Sequence, residues 1–274
     1  MVLAIATTGC DIFGTASRRD SGLTDRQFLP SVPAPRDVIN LEVILIDRTP
    51  GDPLTGDSLW RSLNQAAGSL SNRVQLKEAG LQYGIAPSTP PFALQALLNT
   101  DRSAGSGPTQ RHAVPIPTGG STMITTGQLA GARTIAGADK SRPRAIEVAD
   151  AHCIFQVAAE RVQDGWVRIT LLPEIHHGTQ KLRPRANDRD WVPANTREIE
   201  PYLDRQFSVE LNTGEYVVVG PAGTDPNSLG TLFFRGGDLE SRQQRLMIVR
   251  LIGMHEVQPV RTSPPTSTFG ARAN

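Results

Sequence analysis

Apolar and polar residues alternate over most of the segment 144–254, and this alternation limits the possible folds more than any other feature of the 274 residues. In its first part, Cys153, Phe155 and Val157 share one face of a predicted strand. Asp164 and Gly165 follow, and an Asp-Gly pair favours the tight turn that joins two antiparallel strands. The pattern therefore predicts a mainly antiparallel β-domain, which we place at 144–257.

Further strands of this domain are predicted from the same alternation. They cover residues 166–175, 206–211, 216–219, 229–234 and 245–252. The polar stretch 178–195 is predicted to be a loop between two of them. The tail 258–274 is rich in Pro, Ser and Thr, a composition that predicts disorder.

The part of the chain before this domain shows a mixture of helical and strand patterns. In order, they predict a strand at 38–46, helices at 58–67 and 71–79, a strand at 81–85 and a helix at 91–98. This succession predicts a small α/β module at 38–99.

Residues 100–143 are predicted to form a loop-rich connection between the two regions. Short strands are expected at 112–117 and 122–126, on either side of a hairpin turn at Gly119 and Gly120. The Gly-, Ala- and Arg-rich stretch 127–143 is assigned no regular structure. The expected fold class is therefore α+β, a small N-terminal α/β module followed by a mainly antiparallel β-domain.

Composition narrows the range of functions. The formal net charge of +1, with arginines spread along the chain, gives no basic footprint, so we expect no nucleic-acid partner. No stretch reaches the roughly 18 apolar residues that a membrane-spanning helix needs. Two cysteines, Cys10 and Cys153, do not make a disulfide framework.

The first ten residues form an apolar run that ends in Gly9 and Cys10. This run resembles the end of a bacterial lipoprotein signal, in which a cysteine after a small residue is acylated. It departs from that pattern because Thr7 stands where a leucine is usual and no basic part precedes the run. The resemblance implies lipidation at Cys10, with residues 11–37 as a linker to the folded part. The alternative is an apolar start with a Gly-Cys pair that occurs by chance.

One local cluster contains groups that bind metals. Glu174 and His176 lie two residues apart on a predicted strand and therefore share a face. A structural or catalytic zinc site needs at least three protein ligands, and no third one is evident, so a polar end to the strand is the simpler interpretation. We also find no signature of a nucleophile, of general acid–base catalysis or of a phosphate-binding loop. We expect no cofactor.

Four pieces of the second half, in order, resemble the C-terminal domain of secretins, the outer-membrane channel proteins of bacterial secretion and pilus systems. A strand ends in Pro173 and Glu174, and a strand–turn–strand segment at 207–220 contains Gly214 and Gly220. The remaining pieces are the motif Leu-Gly-x-Leu-Phe, formed by Leu229, Gly230, Leu232 and Phe233, and the closing strand at 245–252. The resemblance covers residues 167–252, which is under a third of the chain.

The resemblance implies a non-enzymatic, oligomeric protein of the bacterial cell envelope, on the periplasmic face or in the outer membrane. It further implies assembly with other copies or with other envelope and secretion components, and a role in protein export. The chain departs from the family because it lacks a long gate-forming insertion and a clear set of ring-building domains upstream. Two alternatives stay open: a periplasmic or surface binding module of β-sandwich type, and an enzyme with a metal at Glu174 and His176.

Overall fold

The computed structural model describes residues 36–99, 109–136, 145–186, 191–223, 225–236 and 243–257. In chain order the elements are β1 (Arg36–Arg48), α1 (Asp57–Ser62), α2 (Leu70–Glu78), β2 (Leu81–Ala86), α3 (Phe92–Asn99), β3 (Thr109–Pro117), β4 (Ser121–Ala136), β5 (Ala145–Gln163), β6 (Trp166–Ala186), β7 (Trp191–Pro201), β8 (Phe207–Asn212), β9 (Tyr216–Pro221), α4 (Leu229–Arg235) and β10 (Gln244–Val257). Cys10 and the tail 258–274 lie outside the described residues.

The first sheet is antiparallel and has the strand order β2-β9-β10-β1-β3. Its central strands β1 and β10 pair over almost their full length, from Arg36 opposite Val257 to Arg48 opposite Gln244. The apolar run in β1 is buried on both faces, which explains why it does not alternate with polar residues.

The second sheet is also antiparallel and contains the longest strands, β4, β5 and β6, side by side. Two strands share the far side of β6: β8 pairs with residues 166–171 and β7 with residues 174–186. The Asp164–Gly165 turn between β5 and β6 is confirmed, since Gln163 pairs with Trp166 and Gly165 has φ +77°.

Two apolar cores hold these layers together. The larger core lies between the sheets and includes Leu41 and Val43 of β1 together with Phe155 and Ile169. The smaller core lies on the other face of the first sheet, where α1 and α3 supply Leu59, Trp60, Leu94 and Leu97. These helical side chains recur at the spacing that the sequence indicates, although α1 ends at Ser62, before the predicted end at 67.

The mainly antiparallel β architecture is confirmed, whereas the division into two regions looks different in the structure. Strands β1 and β2 of the predicted α/β module pair with β9 and β10 of the predicted β-domain. The two regions therefore share one sheet, and the described residues cluster as one compact unit. An apolar strand that is buried on both faces gives no local signal of which strands flank it.

The predicted strand at 229–234 is wrong, because these residues form α4. Ser228 caps the helix by accepting the N–H of Thr231, and Gly236 ends it in the left-handed conformation at φ +63°. Every residue from Leu229 to Phe234 is buried. With no polar face, the helix shows no amphipathic period in the sequence, and its apolar run imitates a buried strand.

Two predicted loops are also wrong. Strand β4 continues to Ala136, and β6 and β7 together span most of 178–195. Backbone pairing with neighbouring strands, from Arg133 opposite Val148 to Lys181 opposite Thr196, extends these strands beyond the apolar pattern. Composition does not reveal pairing of this kind.

The predicted hairpin at Gly119–Gly120 and the predicted strand–turn–strand segment 207–220 are connections between the sheets instead. Strands β3 and β4 flank the Gly119–Gly120 turn but lie in different sheets, as do β8 and β9 on either side of Gly214. At the first crossing, the N–H of Gly119 donates to the carbonyl oxygen of Ala159 in β5. Local alternation predicts each strand but not the sheet that it joins.

Candidate assembly surface

The Leu-Gly-x-Leu-Phe motif lies at the junction of the two sheets, in α4. The N–H of Gly230 donates to the carbonyl oxygen of Ala79 at 3.2 Å, just beyond the end of α2. A Cβ atom added to Gly230 would lie 1.6 Å from the carbonyl oxygen of Gly80. Since Leu229 and Leu232 are buried as well, the motif packs α4 against the turn before β2.

The aromatic end of α4 packs on the second sheet. The ring centroids of Phe155 and Phe233 lie 5.1 Å apart in an edge-to-face arrangement, and Phe234 lies 6.0 Å from Phe155. Strand β4 allows this close approach through Gly127, where a Cβ atom would lie 2.7 Å from the carbonyl oxygen of Phe233. Sequence reasoning missed Gly127, because its neighbour lies more than 100 residues away along the chain.

The other two motif glycines also have steric roles. A Cβ atom on Gly220 in β9 would lie 2.5 Å from Leu246 and 3.0 Å from the ring of Trp60. Gly214 has φ +90° in the turn from the second sheet to the first, and its N–H donates to the carbonyl oxygen of Leu251. Gly214 therefore helps to join the sheets, whereas Gly220 lets β9 pack closely on the smaller core.

A buried ion pair, which sequence reasoning also missed, reinforces the junction. The guanidinium of Arg245 in β10 donates to both carboxylate oxygens of Asp47 in β1, at 2.7 and 2.8 Å. Its remaining nitrogen donates to the carbonyl oxygen of Thr126 in β4 at 3.0 Å. The Asp47 side chain is 7% exposed. One arginine thus ties two strands of the first sheet to an outer strand of the second.

The structure places Pro173 and Glu174 in the middle of β6, where the partner strand changes: β8 pairs as far as Leu171, and Glu174 begins the stretch that pairs with β7. The carbonyl oxygen of Pro173 accepts the N–H of Tyr202 at 2.9 Å. Glu174 and His176 share the sheet face that points away from the core, as their spacing predicts, and their side chains form a 2.8 Å hydrogen bond. Their side chains are 10% and 13% exposed, so both are largely shielded from solvent.

The residues that the structure describes bring no third metal ligand to this pair. His152 lies opposite His176 across the β5–β6 ladder, and burial, Arg197 and His176 lower the pKa of His152. In the described part of the chain, no group of three or more His, Cys, Asp or Glu side chains is arranged to hold a metal ion.

Cys153 is a free thiol within the core of the second sheet, fully buried on β5. Burial raises its pKa to about 12, so the reactive thiolate is nearly absent at neutral pH. In a Cys10→Ser background, we expect a thiol reagent at pH 8 to modify native protein more than about 100-fold slower than urea-unfolded protein. Rapid labelling of the native protein would show that this part of the core is open.

The outer edge of β4 is long and carries few of the features that normally protect a sheet edge, although Thr126 accepts from Arg245 and Gly127 contacts α4 near the middle of the strand. No described strand pairs with this edge. The sixteen residues of β4 include no proline and a single charged side chain, Arg133, although two bulges interrupt its register with β5. Edge strands of monomeric proteins usually carry charges or prolines that prevent pairing with another chain.

The edges of the first sheet are protected. Strand β3 contains Pro115 and Pro117, which lack the N–H group that a further strand would need. Strand β2 is only six residues long, and Asn64 bridges its outer edge through two hydrogen bonds to Ile85, at 2.8 and 3.0 Å. The contrast marks the outer edge of β4 as the one suited to pairing between chains. Strand β7 carries Pro193 and Pro201 near its two ends, so the proline-free stretch 194–200 is the part of its outer edge that can pair.

A single row across the second sheet connects its two outer strands. Gln128 of β4 lies opposite His152 of β5, His152 opposite His176 of β6, and His176 opposite Ile199 of β7. Gln128 is exposed and Ile199 is 49% exposed. We call the outer edges of β4 and β7 the candidate assembly surface, and Gln128 and Ile199 mark one level on each.

Within the described residues, no helix has the length and apolar character that crossing a membrane requires.

Comparisons with known proteins give matches among solved structures only, since no protein-family model and no curated protein matches the chain. The chain is 11% identical to a chain of the ETEC pilotin–secretin AspS–GspD complex, with a TM-score of 0.25. It is 12% identical to the type II secretin GspD from enteropathogenic Escherichia coli, with a TM-score of 0.24. The V. cholerae type IV competence pilus secretin PilQ is also 12% identical, with a TM-score of 0.23.

These matches cover most of this chain but less of the matched chains. The first covers 82% of this chain and 50% of that chain. The second covers 82% and 70%, and the third 83% and 62%. The chain thus spans about half the length of the first of these secretins.

Proposed function

We propose that the chain is a non-enzymatic subunit of the bacterial cell envelope, related to secretin channel subunits. In this proposal, copies assemble head to tail through the outer edges of β4 and β7 and serve protein export. The observation that carries the proposal is the sixteen-residue outer edge of β4, which pairs with no described strand and bears one charged side chain. An edge of this length and composition favours pairing with another chain.

The number of strands between the two edges supports a closed assembly. Strands β4, β5, β6 and β7 form an antiparallel series of four, so β4 and β7 run in opposite directions. The β7 edge of one copy can therefore pair antiparallel with the β4 edge of the next, and the same contact repeats along the series. A head-to-tail contact of this kind gives a ring when the rotation between copies closes.

The remaining parts of the proposal rest on the sequence. The secretin-like pieces between 167 and 252 support an envelope location and a role in export. The lipoprotein-like run that ends at Cys10 supports a lipid anchor, which would hold the subunits at a membrane surface. Other envelope or secretion components are the expected partners beyond further copies of the chain.

Cross-linking tests the head-to-tail contact. In a Cys10→Ser background, the pair Gln128→Cys and Ile199→Cys places a thiol at the same level of each outer edge. With a flexible bismaleimide linker, we expect a ladder of dimers, trimers and larger species on a denaturing gel. The reason is that each copy then links to two different neighbours.

The matched controls are the two single variants, Gln128→Cys and Ile199→Cys. Each has one engineered thiol, so it can link no more than two copies. Cys153 adds no further link while it stays buried. A double variant that gives only monomers, or only the dimers of the single variants, would favour a monomeric binding module of β-sandwich type.

A further inference from the structure

A groove of about 450 Å³ lies between the outer edge of β8 and the segment before α2. One wall is formed by Ser208, Val209 and Glu210. The residues of the opposite wall are Asn64, Ala67, Gly68 and Ile85. Tyr83 holds the opposite wall in place, because its ring stacks on Phe207 at 4.5 Å and its hydroxyl donates to the carbonyl oxygen of Ala67. The volume lies within the range of ordinary ligand sites.

The hydrogen-bond pattern shows which backbone groups of β8 face this groove. The N–H of Thr213 donates to the carbonyl oxygen of Gly165, which makes these residues a hydrogen-bonded pair. Since such pairs alternate along an antiparallel ladder, Leu211 and Val209 also direct their backbone groups toward β6. The N–H and C=O groups of Ser208 and Glu210 therefore point away from β6, into the groove.

On either side of Ser208 and Glu210, side chains already occupy the outer edge of β8. The amide of Asn72 donates to the carbonyl oxygen of Gln206 at 2.7 Å, and the N–H of Asn212 donates to Glu215 at 2.8 Å. Ser208 and Glu210, between these positions, pair with no described strand on that side. Among the described residues, side chains thus occupy the ends of the edge, and no hydrogen bond reaches the backbone N–H and C=O groups of Ser208 and Glu210 from that side.

The charges that line the groove give the expected ligand a sign. Arg168 is the only cation among the lining residues, and it donates to Glu210 at 2.8 Å. The carboxylate of Glu215 is left without a cation among those residues. A ligand with a basic side chain would complement this surplus negative charge.

We propose that this groove binds a short extended peptide with a basic side chain, which adds as a strand to the outer edge of β8. About three residues of the peptide pair with the stretch 208–210, at roughly 3.3 Å per residue. The backbone of Ser208 and Glu210 provides the main-chain hydrogen bonds, and Glu215 selects the basic side chain. This proposal does not depend on the assembly of copies, because β7 and not β8 carries the outer edge used there.

Calorimetric titration with defined peptides tests the proposal. The probe is a five-residue peptide of alternating valine and lysine, blocked at both ends. We expect it to bind the full chain about tenfold more tightly than the same peptide with glutamate in place of lysine. In the Glu215→Gln variant, we expect the tenfold preference for the lysine peptide to fall to about threefold.

A second peptide tests the strand pairing without changing the protein. N-methylation of alternate residues removes the donors of the probe, and we expect its affinity to fall at least about tenfold. Equal affinity of the methylated and unmethylated peptides would overturn the proposal, as would the absence of any binding by the valine–lysine peptide.

The protein variants Ser208→Pro and Ser208→Ala form a matched pair. Both remove the hydroxyl that contacts Thr170 at 2.8 Å, but only proline removes the N–H that faces the groove. We expect Ser208→Pro to lose binding and Ser208→Ala to keep it within about twofold.

Hydrogen exchange locates the contact. The peptide should slow exchange in the segment 207–212, to which the amides of Ser208 and Glu210 belong. If these two amides are already protected without peptide, another part of the chain or a second copy fills the edge, and the proposal fails.

Discussion

The Gly230→Ala variant is expected to lose about 3 kcal/mol or more of unfolding free energy, because the added Cβ atom has no space. It would lie 1.6 Å from the carbonyl oxygen and 2.5 Å from the carbonyl carbon of Gly80. Both are backbone atoms, which do not move aside as a flexible side chain does. To relieve the clash, α4 must shift away, which breaks the hydrogen bond to Ala79 and disturbs the packing of Phe233 on Phe155.

Urea denaturation of the purified variant measures this loss, and Gly253→Ala is the matched control. Gly253 lies in β10 with no atom within 4 Å of the position of a Cβ atom. The control is expected to stay within about 0.5 kcal/mol of the unmodified protein. Equal midpoints for Gly230→Ala and Gly253→Ala would show that α4 does not pack on the turn before β2 as described.

The Asp47→Ala variant is expected to lose about 3 kcal/mol, because it leaves the guanidinium of Arg245 partly buried without its carboxylate. The double variant Asp47→Leu with Arg245→Met should be more stable than Asp47→Ala, because it removes both charges and fills the space with apolar groups. Urea denaturation measures both losses. The single variant reports the free energy of leaving one charge unpaired, and the double variant reports that of removing the whole pair.

An exposed ion pair of the same chain provides the comparison. Asp57 and Arg61 are one helical turn apart, 3.5 Å from each other, with side chains that are 88% and 82% exposed. The Asp57→Ala variant should change stability by no more than about 1 kcal/mol. If Asp47→Ala is no more harmful than Asp57→Ala, the Asp47–Arg245 pair does not tie the two sheets together.

The strand faces of the second sheet could be predicted from the sequence because each strand has one buried and one exposed face. Cys153, Phe155 and Val157 on β5, and Phe207 and Val209 on β8, follow this rule and are buried. Strand β1 and helix α4 do not follow it, because both are buried on all sides. The apolar run in β1 correctly predicts a strand. The apolar run in α4 also predicts a strand, although the structure shows a helix.

The contacts at the junction could not be predicted, because they join residues that are distant in sequence. Asp47 and Arg245 are 198 positions apart and meet only through the register of β1 and β10. Gly127 looks like an ordinary glycine in a flexible segment until α4 is placed against it. The secretin resemblance singles out the motif residue Gly230. Why a glycine is needed there becomes clear only from the structure, which places Gly80 against it.

Light scattering on the full chain in mild detergent provides the decisive measurement of assembly. If the outer edges of β4 and β7 join copies head to tail, the protein elutes from a size-exclusion column as one large species, and light scattering gives that species the mass of many chains. Electron microscopy of that species then shows rings. A single species with the mass of one chain, unchanged as the concentration rises, would rule out assembly through these edges.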